Sequence, residues 1–206
     1  MPFDINQPIA LVGLMGVGKT TVGRRLAKKL GYAFIDSDDE IEKASGRTVA
    51  GYFRDHGEAE FREGEYRVIS RILDRNRLII GTGGGAFIHP KTHKLLLEKS
   101  ITVWLKGDFD TLFERVRRKD TRPLLQVEDP AGTYKKLMDE RYPIYAKADI
   151  TVNIAKGPHG RTVNRVERAV EVFLSEKSGL PTNKRQRRRH PSQRRRKPAK
   201  QQKVKS

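Results

Sequence analysis

Between Gly13 and Thr20 the chain reads GLMGVGKT, two glycines separated by four residues and followed at once by a lysine and a hydroxyl residue. Phosphate binding asks for these types at this spacing. Glycines let the backbone curl until its N–H groups face phosphate oxygens, and a helix starting just beyond them adds positive charge. Lys19 is then placed to reach the β- and γ-phosphates of a nucleoside triphosphate, and the Thr20 hydroxyl to hold Mg²⁺. Gly16, Val17, Gly18, Lys19, Thr20 and Thr21 form the expected nucleotide-binding set, in a loop that switches, motors and small-molecule kinases share. A second acid is supplied by Asp36, which ends the apolar run AFID and reaches Mg²⁺ directly or through water. Asp38, two residues on, faces the same crevice; its alternative role is to cap the helix that opens IEKAS.

Such residues need a scaffold, and the pattern supplies one. Ile9 to Leu14 is a short apolar run bounded by Pro8 and glycines, a buried strand. Thr20 to Leu30 has helical apolar spacing and stops at Gly31. Ala33 to Asp36, Arg77 to Gly81, Ile101 to Leu105 and Ile150 to Ile154 read as four further strands. Helices are expected over Asp38 to Ser45, over Thr48 to Arg75 with a turn at Gly57, from Pro90 to Lys99, from an Asp108 cap to Lys119, from Gly132 to Lys147 and from Arg161 to Glu176. Strands alternating with helices, with apolar runs too continuous for a one-sided sheet, imply an α/β protein with a parallel sheet covered on both faces.

Composition narrows the function further. The chain of 206 residues suits one domain. It has no cysteine, which excludes disulfide scaffolds, zinc fingers, iron–sulfur clusters and thiol nucleophiles. No apolar run reaches bilayer-spanning length and the N-terminus lacks the marks of a secretory signal, so the expectation is a cytoplasmic protein without membrane contact. The formal charge of +18 is uneven: residues 181 to 206 carry 12 Lys and Arg and no acid, leaving +6 for the rest. The expectation is a catalytic body over 1–176 and an unstructured basic tail over 177–206 that makes at most nonspecific contact with RNA or another polyanion. The tail holds no aromatic residue for base stacking.

In order along the chain stand GLMGVGKT, FIDSDDEIE, EAEFREGE, GTGGGAF, TRPLL and ERYPIYAKAD, and with these motifs the chain resembles the shikimate kinases over about residues 7 to 176. The resemblance implies a three-layer P-loop kinase fold with five parallel strands in the order 2-3-1-4-5. It also implies transfer of the γ-phosphoryl group of ATP to the 3-hydroxyl of shikimate, a step towards chorismate and the aromatic amino acids, by a monomer. Matched residue by residue, Asp36 is the Mg²⁺-side acid and Asp38 the residue on the substrate hydroxyls. Arg62 and Arg141 bind the substrate carboxylate, and Glu65 helps to hold that site. Gly83, Gly84 and Gly85 contact the substrate from a strand end. Residues 37 to 65 form the substrate-binding helical segment and 120 to 130 the lid. Arg122 is the lid arginine that swings to the transferring phosphate. Arg118 and the loop around Pro158 align with the two sides of the adenine pocket.

Plainer roles stay open beside these. Arg62 has Glu58 and Glu65 at helical spacing and so reads equally as a surface ion pair. The glycine triplet makes a tight turn on its own account, Arg141 is otherwise a solvated helix residue, and Phe53 and Phe61 line the pocket or simply fill the core. A gluconate-type sugar-acid kinase is the nearest enzymatic alternative, and a polyanion-binding protein regulated by nucleotide the alternative from another class.

Overall fold

The computed structural model describes residue 5 and residues 7–118, 127–154 and 159–178. Expectations placed on the lid segment 120–126 with Arg122, on Pro158 and on the tail from residue 179 onward lie outside the described residues. Five strands form one parallel sheet: β1 (Ile9–Val12), β2 (Ala33–Asp36), β3 (Leu78–Gly81), β4 (Ile101–Lys106) and β5 (Ile150–Asn153), in the order β2-β3-β1-β4-β5. All four residues of β1 are fully buried, as are Leu78, Ile79 and Ile80 of β3. Burial on both faces explains why these runs show no alternation, whereas the edge strand β5 alternates buried Ile150 and Val152 with exposed Thr151 and Asn153.

The helices are α1 (Lys19–Leu30), α2 (Ser37–Ser45), α3 (Val49–Leu73), α4 (Pro90–Lys99), α5 (Phe109–Arg117), α6 (Pro130–Tyr145) and α7 (His159–Lys177). Sequence signals set most of their ends. Gly31 closes α1 in the left-handed region at φ 68°, Pro90 opens α4, and Asp108 caps α5 by accepting from the Thr111 N–H at 2.8 Å. Helix α3 breaks at Gly57, whose φ of 78° is costly for any other residue, so the turn expected inside that run is present. Several ends differ from expectation. Helix α6 begins at Pro130 and not at Gly132, because Asp129 caps it and a proline loses nothing in the first turn, and it ends at Tyr145. Helix α5 stops at Arg117 and α7 starts two residues early, at His159.

The sheet order makes β1 the point from which the chain winds outward in both directions, through β3 and β2 on one side and β4 and β5 on the other. A crevice opens above the carboxyl ends of the strands at such a switch. GLMGVGKT follows β1, the Asp36–Asp38 pair ends β2 and opens α2, the glycine triplet follows β3, and Gly107 follows β4. Loops distant in sequence therefore share one edge. Among the described residues no helix is long and apolar enough to cross a membrane.

Candidate active site

The loop after β1 takes the shape its sequence demands. Gly16 and Gly18 have φ of 85° and 94°, and Lys19 opens α1. The Lys19 ammonium donates to the carbonyls of Gly13 at 2.7 Å and Leu14 at 3.2 Å, which holds its charge over the loop. A cleft of about 660 Å³ opens there, lined by Gly16, Gly18, Lys19, Thr20, Thr21, Asp36 and Asp38 and reaching Thr82 and Gly84. Val17 is the member of the expected nucleotide set that does not line it. Its side chain is 1% exposed and packs into the core, while its N–H points back to the Leu14 carbonyl at 3.4 Å.

Thr20 Oγ1 donates to Asp36 Oδ2 at 2.8 Å. Two hard oxygens from different elements thus meet at the mouth of the phosphate loop. Among the described residues no three His, Asp or Glu side chains gather into a metal cage. A hydroxyl and one carboxylate are a donor set that suits an ion keeping most of its water and phosphate ligands, as Mg²⁺ does.

Asp36 also settles the capping question. It is the N-cap of α2, and its Oδ1 accepts from the Asp38 N–H at 3.2 Å. The alternative that made Asp38 the cap is therefore overturned; Asp38 lies within the first turn, where its side chain is released from capping. That side chain reaches Gly83: a Cβ on Gly83 would stand 2.6 Å from Asp38 Oδ1 and 3.1 Å from Glu65 Oε1. Burial, and next the neighbouring Asp36 charge, push the Asp38 carboxyl above the usual aspartate range, with Lys19 pulling the other way. The Gly83 N–H is taken by the buried Ser37 hydroxyl at 2.9 Å, so this glycine serves by making room for two carboxyls.

Glu65 is 1% exposed and accepts from Arg62 Nη1 at 2.7 Å. Its Oε1 has no hydrogen-bond partner among the described residues, and burial raises its pKa against the opposing Arg62 charge. Arg62 donates through Nε and Nη2 to Glu58 at 3.3 and 3.2 Å, so the helical ion pairs read from spacing do form. They do not exhaust the arginine. Its guanidinium presses on Gly85 so closely that any side chain there would collide with it. Phe53 and Phe61 stand against the same guanidinium at 5.5 and 5.3 Å from ring centre to Cζ, and Phe61 is also core. From α6, Arg141 Nη1 donates to the Gly84 carbonyl at 3.1 Å. Two guanidinium groups from α3 and α6 converge on consecutive glycines, next to Asp38 and facing the phosphate loop.

On the other flank, Arg118 lines the cleft and pairs with Glu114 at 2.5 Å. Among the cleft residues outside the expected set are Arg115, one turn before Arg118, and His159, which follows Pro158. The His159 ring lies 3.3 Å from where a Cβ on Gly18 would stand. Burial, reinforced by the Arg115 and Arg25 charges, holds its imidazole below the usual histidine range.

The model of the shikimate kinase family matches residues 15–171, which takes in every functional side chain named above. The chain belongs to the shikimate kinase family. A shikimate kinase from Rhodopseudomonas palustris is 47% identical over 169 residues, 82% of this chain and 83% of the relative. Among solved structures, a shikimate kinase from Acinetobacter baumannii in complex with shikimate matches with a TM-score of 0.78 at 37% identity, covering 85% of this chain and 97% of that one. A gluconokinase from Sinorhizobium meliloti shares the fold with a TM-score of 0.54, but at 16% identity it speaks for the fold alone. Membership of the family thus rests on sequence as well as on shape.

Proposed function

We propose that this chain transfers the γ-phosphoryl group of ATP to the 3-hydroxyl of shikimate. The observation that supports the reading is the convergence of Arg62 and Arg141 on Gly84 and Gly85, because two fork-shaped donors brought together suit a planar carboxylate. Gluconate also bears a carboxylate, so the arginines alone do not choose between them. Identity does: 47% to a shikimate kinase against 16% to a gluconokinase.

Phosphoryl transfer through a loose transition state asks for alignment and charge neutralisation more than for a strong base. The phosphate loop with Lys19 holds the triphosphate and neutralises charge on its oxygens. Asp38, released from capping, accepts a hydrogen bond from the attacking hydroxyl and takes its proton as the new P–O bond forms and the bond to ADP breaks. Thr20 and Asp36 would hold Mg²⁺, which supplies further neutralisation of the phosphate oxygens when bound. Arg122, with the segment 120–130 as lid, completes the phosphate contacts and excludes water; Arg118 and Pro158 flank the adenine. The same reading makes 1–176 the catalytic unit, a monomer in the cytoplasm, and 177–206 a basic appendage.

The decisive measurement is ADP release in the presence of ATP and Mg²⁺. Release is expected to depend on shikimate; release with gluconate and none with shikimate would transfer the assignment to a sugar-acid kinase. Arg62→Lys tests the acceptor side. Lysine keeps the charge and loses the fork, so KM for shikimate should rise by about tenfold or more while KM for ATP holds. Steady-state kinetics with each substrate varied would show it, and an unchanged KM for shikimate would remove Arg62 from the site.

A further inference from the structure

Helix α6 supplies no residue of the phosphate loop itself, yet its three tyrosines reach three different loops at the carboxyl edge of the sheet. Tyr134 donates to the Met15 carbonyl at 2.8 Å, Tyr142 to the Gly107 carbonyl and Tyr145 to the Gly84 carbonyl. These acceptors belong to the loops after β1, β4 and β3 respectively. With 3.6 residues per turn, Tyr134, Arg141, Tyr142 and Tyr145 fall within about 100° of the helix circumference, a single stripe facing the site.

The contacts are built to hold. Tyr134 and Tyr145 are at most 1% exposed, so water does not compete for their hydroxyls. The Tyr145 ring lies between Phe87, at 6.2 Å and 12° between planes, and Trp104, at 6.1 Å and 24°, which leaves it one pose. Burial pushes the phenols of Tyr142 and Tyr145 up to about 12, so both remain donors at any working pH. The Gly84 carbonyl uses its two lone pairs on one helix, accepting from Arg141 and from Tyr145. That shared acceptor ties the pose of Arg141 to the height of the glycine loop.

We infer that α6 is the strut that sets one substrate against the other: Tyr145 positions Arg141 and the Gly84 carbonyl on the acceptor side, and Tyr134 positions the Met15 peptide of the phosphate loop. Neither tyrosine needs to touch a substrate; each is a positioning residue. The inference rests on the acceptor assignment proposed above and adds to it a division of labour along one helix.

The test is a pair of isosteric variants of the full chain, Tyr145→Phe and Tyr134→Phe, assayed with each substrate varied and followed by far-ultraviolet circular dichroism. A lost hydrogen bond to a buried carbonyl predicts for Tyr145→Phe a KM for shikimate raised about tenfold, with KM for ATP within about twofold of wild type. Tyr134→Phe should show the reverse, KM for ATP raised and shikimate spared. A purely structural role would instead lower the melting temperature and the active fraction and leave both KM values in place, which overturns the inference. Should Tyr145→Phe fail to fold, Tyr134→Phe carries the same test through ATP. A wild-type protein that releases no ADP with shikimate overturns the proposed function together with this inference, whereas an active wild type and a Tyr145→Phe variant with unmoved KM values overturn the strut alone.

Discussion

Lys19→Ala is expected to lower kcat by about a thousandfold while leaving the far-ultraviolet spectrum of the protein unchanged. The size follows from what the ammonium does and from where it is held. Two loop carbonyls, those of Gly13 and Leu14, fix the side chain at the mouth of the phosphate loop, so its charge is oriented before any nucleotide arrives. Stabilisation by a preorganised charge costs no rearrangement at the moment of reaction, which is why removing one such donor is worth two to three orders of magnitude. The fold should survive, since the glycines and not the lysine set the loop's backbone, and β1 beneath it is fully buried. The effect should also be one-sided. Arg62, Arg141 and the glycine triplet lie on α3, α6 and the β3 loop, so calorimetric binding of shikimate to Lys19→Ala should match wild type. Loss of kcat below tenfold, or loss of shikimate binding along with it, would mean that the lysine serves the loop's structure more than the transferring phosphate.

How far the sequence carries depends on the range of the interaction involved. The phosphate loop, the glycine that ends α1, the Asp108 cap and the break at Gly57 are local, set by residues within one turn of one another, and spacing alone reveals them. Arg62 shows where locality stops. Its pairs with Glu58 and Glu65 follow from helical spacing, but its contact with Gly85 depends on α3 lying beside the β3 loop, which only the packed sheet brings about. Asp36 and Asp38 flank Ser37 symmetrically in the sequence, and the choice of cap needed backbone angles: Asp36 is extended, Asp38 helical. Tyr134, Tyr145 and His159 were hidden for a related reason. A tyrosine on an amphipathic helix reads as core, which both tyrosines also are, and nothing in the sequence shows which carbonyl a hydroxyl will find. The resemblance to a family supplied roles for residues whose geometry was out of reach, and the structure has now put most of those residues on one edge.

Asp38→Asn should reduce kcat by about a hundredfold to ten-thousandfold and at the same time make the protein more stable at neutral pH. Both effects have one origin. Burial and the Asp36 charge raise the Asp38 pKa in the folded state above the ordinary 3.8, so the native protein binds this proton more tightly than the unfolded chain does. For a group shifted in that direction, the favourable contribution is complete at low pH and disappears as pH rises through the folded value; at neutral pH the ionised carboxylate weighs against folding. Asparagine keeps the shape and carries no charge. The melting temperature of Asp38→Asn should therefore exceed that of wild type by a few degrees at pH 7, and the difference should shrink as pH falls through the raised value towards 3.8. In the wild type, kcat/KM for shikimate should fall on its acid side through that same raised pKa, and the limb should vanish in the variant. The local geometry strengthens the stability argument. Asp38 Oδ1 and Glu65 Oε1, which has no partner among the described residues, both border the space a Cβ on Gly83 would take, so an amide in place of the first carboxyl removes one of two acidic groups from that space. If Asp38→Asn melts below wild type at pH 7, the buried carboxylate is a structural member, and its burial beside Asp36 is not the reserve from which the site draws its reactivity.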